Sequence, residues 1–302
     1  NTCRTENTRA YHRAKIGEHC PIIACYCLSC FLTMRPSFHG NKHMTLLKNK
    51  NAIITGGSDG IGLGIATAFA QAGVGTLLLL GRDGQKLETA RHSLAQFRQT
   101  CVHCLVADLG ITADITAIAA QILHLLPQPD ILVNNAGLGR FVPFMQMDEA
   151  LFDAHFNLNI KAPYFLTQAL LPALMARQGN IINISSYFAQ RMLPDRATTA
   201  YSASKGALNS FTKALAFEMG ASGVRVNAIA PGSVRTPQLQ HNIDVMPAEK
   251  QQAFARMIKT IYPLGHIGSP EDIGRAAAFL ASDHAAWITG AVWAVDGGLT
   301  TN

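Results

Sequence analysis

Cysteine is scarce where the chain looks globular: of seven cysteines, five precede residue 31, and only Cys101 and Cys104 follow. A disulfide framework is thereby excluded for the body of the protein, which reads as a reduced, cytoplasmic chain. Long apolar runs are also missing. The stretch Pro21 to Met34 extends about 14 residues, short of the ~20 needed to span a bilayer, so no membrane partner is expected. Charge is sparse at 15% of residues against 48% hydrophobic, which is ample for one large core and thin for two independent domains. The formal charge of +6 invites a nucleic-acid reading until it is divided along the sequence. The first 43 residues hold about +4 of it, leaving about +2 for everything after, an ordinary surface with no nucleic-acid footprint.

What is present is enough apolar material for one large α/β domain. Met44, followed by a lead-in from Thr45 to Lys50, is the expected natural start; residues 1–43 are expected to be an N-terminal extension outside the fold, and 44–302 the working domain. His19, Cys20, Cys25, Cys27 and Cys30 cluster in that extension without the paired C-x-x-C frame of a structural zinc site, so no metal is expected.

From Asn51 onward, short β-rich apolar runs alternate with longer helical patterns. This predicts a Rossmann-type, doubly wound, seven-stranded parallel sheet with helices on both faces. Strands are expected near 51–55, 76–80, 101–106, 130–133, 179–185, 224–229 and 291–295. Helices are expected near 60–73, 83–97, 111–125, 148–176, 201–221 and 270–282, with an irregular-to-helical stretch at 235–262. In such sheets ligands bind beyond the carboxyl ends of the strands, where the winding reverses.

The first strand ends in Thr55-Gly56-Gly57-Ser58-Asp59-Gly60-Ile61-Gly62 and opens into a helix. Gly56 permits the tight turn, Gly60 lets backbone amides approach a pyrophosphate, and Gly62 lets helix and strand pack closely; Ser58, Asp59 and Ile61 complete the turn. At the end of the second strand Gly81 stands where an acidic side chain would hold the ribose of NAD, and Arg82 follows. An arginine there suits a 2′-phosphate, so NADP(H) is favoured and NAD(H) remains possible, with the Asp59 carboxylate as counterweight. Asp108 and Leu109 follow the third strand, with Asp108 placed to accept from an adenine amino group or to cap a helix. Asn134-Asn135-Ala136-Gly137 follows the fourth, where amides and a glycine can line the adenine ribose and pin neighbouring strands.

Tyr201-Ser202-Ala203-Ser204-Lys205 opens a long helix, and i, i+4 spacing puts phenol and ammonium on one face. The cation favours tyrosinate, and together with the charge of an oxidised nicotinamide it is expected to bring the phenol nearer neutrality as a general acid or base. Tyr11 and Lys15 share that spacing, so position rather than spacing decides between the pairs. Ser186, preferred over Ser185, ends the fifth strand, where a hydroxyl could polarise a carbonyl oxygen. Asn159 interrupts a long helix and could hold a water in a proton relay. The stretch from Ser186 to Tyr201, with Arg191, Pro194, Asp195 and Arg196, is either a wall of the substrate mouth or a solvated loop. Cys101 and Cys104 lie three apart on a strand, hence on opposite faces, and are read as packing. Trp287 and Trp293 are read as packing near the C-terminal strand.

Taken together, Thr55 to Gly62, Asn134 to Gly137, Asn159, Ser186, Tyr201 with Lys205, Pro231-Gly232, and Val295-Asp296-Gly297-Gly298 resemble the short-chain dehydrogenase/reductase family, in its compact single-domain branch, over residues 45–300. The resemblance implies a catalytic tetrad of Asn159, Ser186, Tyr201 and Lys205. It also implies that Pro231, Gly232, the Val234 backbone and the Thr236 hydroxyl hold the nicotinamide carboxamide. Residues 235–265 become a substrate lid, offering Gln238, His241, Met246, Phe254 and Met257, and association as a homotetramer or homodimer is implied. The expected activity is hydride transfer between nicotinamide and a carbonyl or alcohol carbon of a small molecule. The alternatives are a nucleotide-sugar epimerase or dehydratase, disfavoured by the glycine spacing, and a non-catalytic dinucleotide sensor or scaffold, disfavoured by the complete tetrad.

Overall fold

The computed structural model describes residues 45–194 and 196–301, which fall in one compact unit, His43–Asn302. The extension with its cysteines, Tyr11 and Lys15, the expected start at Met44, and Asp195 lie outside the described residues.

The strands are β1 Asn51–Thr55, β2 Thr76–Gly81, β3 Cys101–Val106, β4 Ile131–Asn134, β5 Asn180–Ile184, β6 Arg225–Pro231 and β7 Val292–Val295. They form one sheet in the order β3-β2-β1-β4-β5-β6-β7, every pairing parallel. The Rossmann-type expectation therefore holds, with the winding reversing at β1, between β2 and β4. The helices are α1 Gly60–Gln71, α2 Gly84–Leu94, α3 Ile115–Leu125, α4 Glu149–Phe156, α5 Ala162–Ala176, α6 Thr199–Met219, α7 Pro237–Asp244, α8 Ala248–Ile261 and α9 Pro270–Ala281.

Because successive strand side chains point to opposite faces, the apolar runs divide between two layers. Ile54, Leu79, Val133 and Ile182 pack with Phe69 of α1 and Ile273 of α9. Their neighbours Ile53, Leu78, Leu132 and Ile181 pack with Ile122, Leu166, Leu170 and Leu215 on the other face. Each fully buried Leu or Ile contributes roughly 1.5–3 kcal/mol, so a charge at any of these sites breaks a layer.

Two devices set the layers in place. A methyl on Gly64 would come within 2.5 Å of Pro270 Cβ, and one on Gly274 within 2.5 Å of Gly64 O, so paired glycines let α1 and α9 meet backbone to backbone. At the amino end of the sheet the buried Asp130 carboxylate accepts from Asn51 N at 2.8 Å and from Arg177 Nε at 2.9 Å, tying β1 to the end of α5.

Three expectations need correction. The helix expected over 148–176 is interrupted by a π-helical turn, Asn157–Lys161, which carries the buried Asn159. The irregular stretch at 235–262 resolves into α7 and α8, parted before Pro247, which fixes its own φ and lacks an N–H. Trp293 stacks on Phe279 with ring centroids 5.5 Å apart, as packing requires. Trp287, expected to pack as well, is 99% exposed, because it lies in the turn after α9 rather than on the strand. The paired cysteines do diverge: Cys101 Sγ lies 3.4 Å from His103 Nε2, whereas Cys104 Sγ faces Leu87 O of α2 at 3.5 Å.

Candidate active site

The glycine turn is built so that side chains would obstruct it. Gly56 and Gly60 adopt φ of 63° and 52°, the left-handed region. A Cβ on Gly62 would lie 2.0 Å from Gly56 O, so the turn closes only with glycine there. Asp59 caps α1, its Oδ1 accepting from Gly60 N at 2.6 Å, while Oδ2 sits 3.6 Å from Lys86 Nζ. The carboxylate expected to oppose a phosphate is thus set against the positive end of α1 and the Lys86 cation.

Asn135 locks this turn to the loop after β4. Its Nδ2 donates to Thr55 O at 2.9 Å and to Gly56 O at 3.0 Å, while Thr55 Oγ1 accepts from Asn135 N at 2.9 Å and Ala136 N at 3.0 Å. The Asn135 side chain is a fastener, and Ala136 and Gly137 are left facing the cleft. Asn134 belongs to a buried polar chain instead: its Nδ2 reaches Thr167 Oγ1 and Asn183 Oδ1, and Asn183 Nδ2 reaches Thr212 Oγ1. Asp108 Oδ1 accepts from Gly110 N at 2.9 Å, stabilising its own turn rather than capping a helix, and Leu109 is buried.

These loops enclose a cavity of about 360 Å³ lined by Gly56, Ser58, Asp59, Arg82, Asp108, Leu109, Ala136 and Gly137, among others. The loop after β6 joins it from the far side, where Thr236 Cγ2 would be 3.2 Å from a Cβ on Gly60. Within that loop, Gly232 passes so close to Asp296 that a Cβ would meet its Cα at 2.9 Å. The Thr236 hydroxyl accepts from Leu239 N at 3.2 Å, which leaves its own proton to donate. A helix N-terminus, a cradle only glycine allows and a cation at Arg82 fit an anionic dinucleotide.

A second cavity, about 300 Å³, adjoins the catalytic candidates and is lined by Ser186, Tyr201 and the α7 to α8 segment. Of the lid residues named from sequence, Phe254 and Met257 reach it; Gln238 instead bonds Asn242 Oδ1. Ser186 Oγ accepts from Phe188 N at 3.2 Å and hydrogen-bonds the Tyr201 phenol. Its neighbour Ser185 turns to Lys205 O.

Lys205 is buried, and Nζ donates to Ile184 O at 2.7 Å. It lies 5.9 Å from the Tyr201 ring centroid and would be 3.4 Å from a methyl on Gly137, between the two cavities. In the protein alone the balance is set by burial. Burial pushes Tyr201 above its usual 10, opposed by the Ser186 hydrogen bond, and burial pulls Lys205 down to about 8. Both charged forms are desolvated, so in the protein alone the phenol is kept protonated rather than driven to tyrosinate.

Asn159 is held by protein partners: Oδ1 accepts from Leu138 N at 2.8 Å, and Nδ2 donates to Leu138 O at 3.0 Å and Ser204 Oγ at 2.9 Å. With both amide protons engaged, the side chain clamps Leu138 and Ser204. Several contributors went unread in the sequence. Phe141, Phe188 and His155 surround Tyr201 edge-on at 5.4, 6.2 and 6.4 Å. His155 is fully buried, with Nδ1 2.8 Å from Leu151 O and Nε2 accepting from Arg140 N at 3.3 Å. Those partners assign the neutral tautomer protonated on Nδ1. Its position four residues before Asn159 was the available signal. Tyr262, whose hydroxyl accepts from Ser233 N at 2.8 Å, comes from a distant segment that offered none.

A cradle for an anionic dinucleotide, opening beside a half-buried phenol and a buried amine, defines the class as dinucleotide-dependent α/β oxidoreductases. A family model described as enoyl-(acyl carrier protein) reductase matches residues 56–300. Oxidoreductase UcpA of Salmonella typhimurium is 38% identical over 258 residues, covering 85% of this chain and 97% of that protein. The 3-oxoacyl-[acyl-carrier-protein] reductase FabG of Chlamydia trachomatis is 37% identical over 255 residues, 84% of this chain and 98% of its own. Among solved structures, L-sorbose reductase of Gluconobacter frateurii, complexed with NADPH and L-sorbose, superposes with a TM-score of 0.80 at 29% identity, covering 86% of this chain and 99% of that one. The chain belongs to the short-chain dehydrogenase/reductase family.

Proposed function

We propose that the protein is an NAD(P)(H)-dependent reductase of small-molecule carbonyls, running in reverse as an alcohol dehydrogenase, with NADP(H) preferred. The observation behind this reading is the half-buried Tyr201, hydrogen-bonded to Ser186 on the wall of the smaller cavity. A bound nicotinamide supplies the hydride in reduction and accepts it in oxidation. Ser186 donates a hydrogen bond to the carbonyl oxygen, and Tyr201 passes its proton to that oxygen as negative charge develops. Lys205 stabilises the phenolate left behind, and Asn159 keeps the segment bearing Tyr201 in register through Ser204, whose hydroxyl donates to Tyr201 O at 2.8 Å.

Gly56, Ser58, Asp59, Gly60, Ile61 and Gly62 are assigned to the pyrophosphate; Asp108 and Leu109 to the adenine; Asn135, Ala136 and Gly137 to the neighbouring ribose. Tyr201 and Lys205 serve the nicotinamide ribose, and Pro231, Gly232, Val234 and Thr236 its carboxamide. The NADPH preference rests on Arg82 in the cavity wall and on the Lys86 cation offsetting Asp59. The working unit is residues 44–302, with 235–265 as lid. Cytoplasmic residence is part of this reading; among the described residues no helix is long and apolar enough to cross a membrane.

Association as a homotetramer or homodimer is supported by the apolar side chains α5 and α6 expose: Tyr164, Phe165, Met175 and, at 90% exposure, Phe217. Light scattering tests that point. The activity is tested by NADPH and NADH fluorescence titration, followed by turnover on ketones, aldehydes, quinones, sugars and acyl thioesters. Tighter binding of NADPH supports the assignment of Arg82, and the opposite order refutes it.

A further inference from the structure

The smaller cavity offers more than a place for a carbonyl. One wall is aromatic, from Phe141, Tyr187 and Phe188; the facing wall is aliphatic and aromatic, from Leu239, Phe254, Met257 and Ile261. Its polar side chains are few: Ser186 and Tyr201, which meet the reacting oxygen, Ser233 and Thr236 in the turn after β6, the Tyr187 and Tyr262 phenols, and Arg196. The Tyr262 hydroxyl is already engaged with Ser233 N. Hydroxyls spread along a bound molecule would therefore be buried against carbon, a cost of order 1–3 kcal/mol for each that finds no partner. A polyhydroxylated substrate is a poor match.

Arg196 is the single formally charged side chain among the residues lining the cavity. It stands in the stretch between Ser186 and Tyr201, near enough to Tyr187 that its charge opposes, in small part, the burial that raises that phenol. Among the described residues it has no carboxylate partner: the ion pairs involve Lys50, Lys86, Arg91, His92, Arg177 and Arg275. An exposed guanidinium with no ion pair among the described residues, on the wall of an apolar slot, suits an anion, since its planar donors match a carboxylate.

We infer that the substrate is a ketone on an apolar alkyl or aryl body that ends in a carboxylate, with Arg196 binding the carboxylate and Ser186 and Tyr201 the ketone. This rests on the reductase reading above. The carbonyl carbon gains a hydride from the reduced nicotinamide, the oxygen gains the Tyr201 proton, and the product is the secondary alcohol with its carboxylate unchanged.

The test compares 4-acetylbenzoate, 4-oxo-4-phenylbutanoate and 5-oxo-5-phenylpentanoate with their neutral carboxamides, because the series varies the reach from ketone to anion. With NADPH present, KM for the best-fitting carboxylate should be about tenfold below that of its amide, the size of one charge-assisted contact at a part-exposed site. Added salt should raise KM for the acid and not for the amide. In Arg196→Gln the acid-to-amide ratio should collapse to about one, and Arg196→Lys, which keeps the charge, should retain most of it. The same pairs are read by thermal shift without turnover, where the acids should stabilise the wild-type protein more than the amides do. Equal behaviour of acids and amides, or a preference that survives in Arg196→Gln, overturns the inference. Faster reduction of a ketose than of every aryl ketone overturns its apolar half. If no ketone is reduced while the acids still stabilise the wild type selectively, the reductase reading fails and the anion site stands.

Discussion

Asn159 Nδ2 lies 2.9 Å from Ser204 Oγ, and that hydroxyl donates in turn to Tyr201 O at 2.8 Å, so one amide in a π-helical turn fixes the backbone that presents the phenol. Asn159 also holds Leu138 by two further hydrogen bonds. Asn159→Ala should cost about 3 kcal/mol of stability, near 1 kcal/mol for each bond removed from a buried site. Urea denaturation measures it, and Ser204→Ala, which breaks fewer of these contacts, should cost less.

Lys205 has a folded pKa of about 8 against an ordinary 10.5. Between those values the unfolded chain binds the proton and the native one does not, so stability rises with pH across that window, and the penalty is fully present below about pH 8. Relative to Lys205→Met, which has no such group, the wild type should gain on the order of 3 kcal/mol between pH 8 and 10.5. Paired denaturation curves across that range give the difference. A gap independent of pH would mean that the amine is not desolvated as its burial implies.

The same shift bears on activity. Reduction needs the Lys205 cation beside the forming phenolate, and that cation is lost as pH rises through about 8. The rate at limiting carbonyl should fall above that pH in the wild type. In Lys205→Met this limb should vanish along with most of the activity, roughly 10²- to 10⁴-fold.

Two glycines should respond in opposite directions. Gly62→Ala forces a Cβ to 2.0 Å from Gly56 O and should abolish dinucleotide binding or folding. A methyl on Gly206, inside α6, would meet nothing within 4 Å, so Gly206→Ala should stabilise by about 0.5–1 kcal/mol. Calorimetry on the two variants checks both.

The sheet was legible because buried parallel strands such as Thr76–Gly81 are written as unbroken apolar runs bounded by turns. The glycine turn and the pair Tyr201 and Lys205 were legible because local spacing and position after a strand place them. Asn159 was found, but not what it does, since its partners Leu138 and Ser204 come from elements far apart in sequence. The state of Tyr201 in the protein alone was not legible for a related reason. Spacing reports that a cation is near, whereas burial, which raises the phenol here, follows from the whole packed shell. Tyr262 and the walls of the smaller cavity depend on how α7 and α8 fold back, which no local pattern in 235–262 announces.

The central claim is that the Tyr201 phenol delivers the proton. Its most direct test is kcat/KM for Tyr201→Phe on a carbonyl that the wild type reduces, with dinucleotide affinity measured alongside. The account predicts a fall of roughly 10²- to 10⁴-fold in rate with folding intact and the dinucleotide still bound. A rate equal to that of the wild type would contradict it.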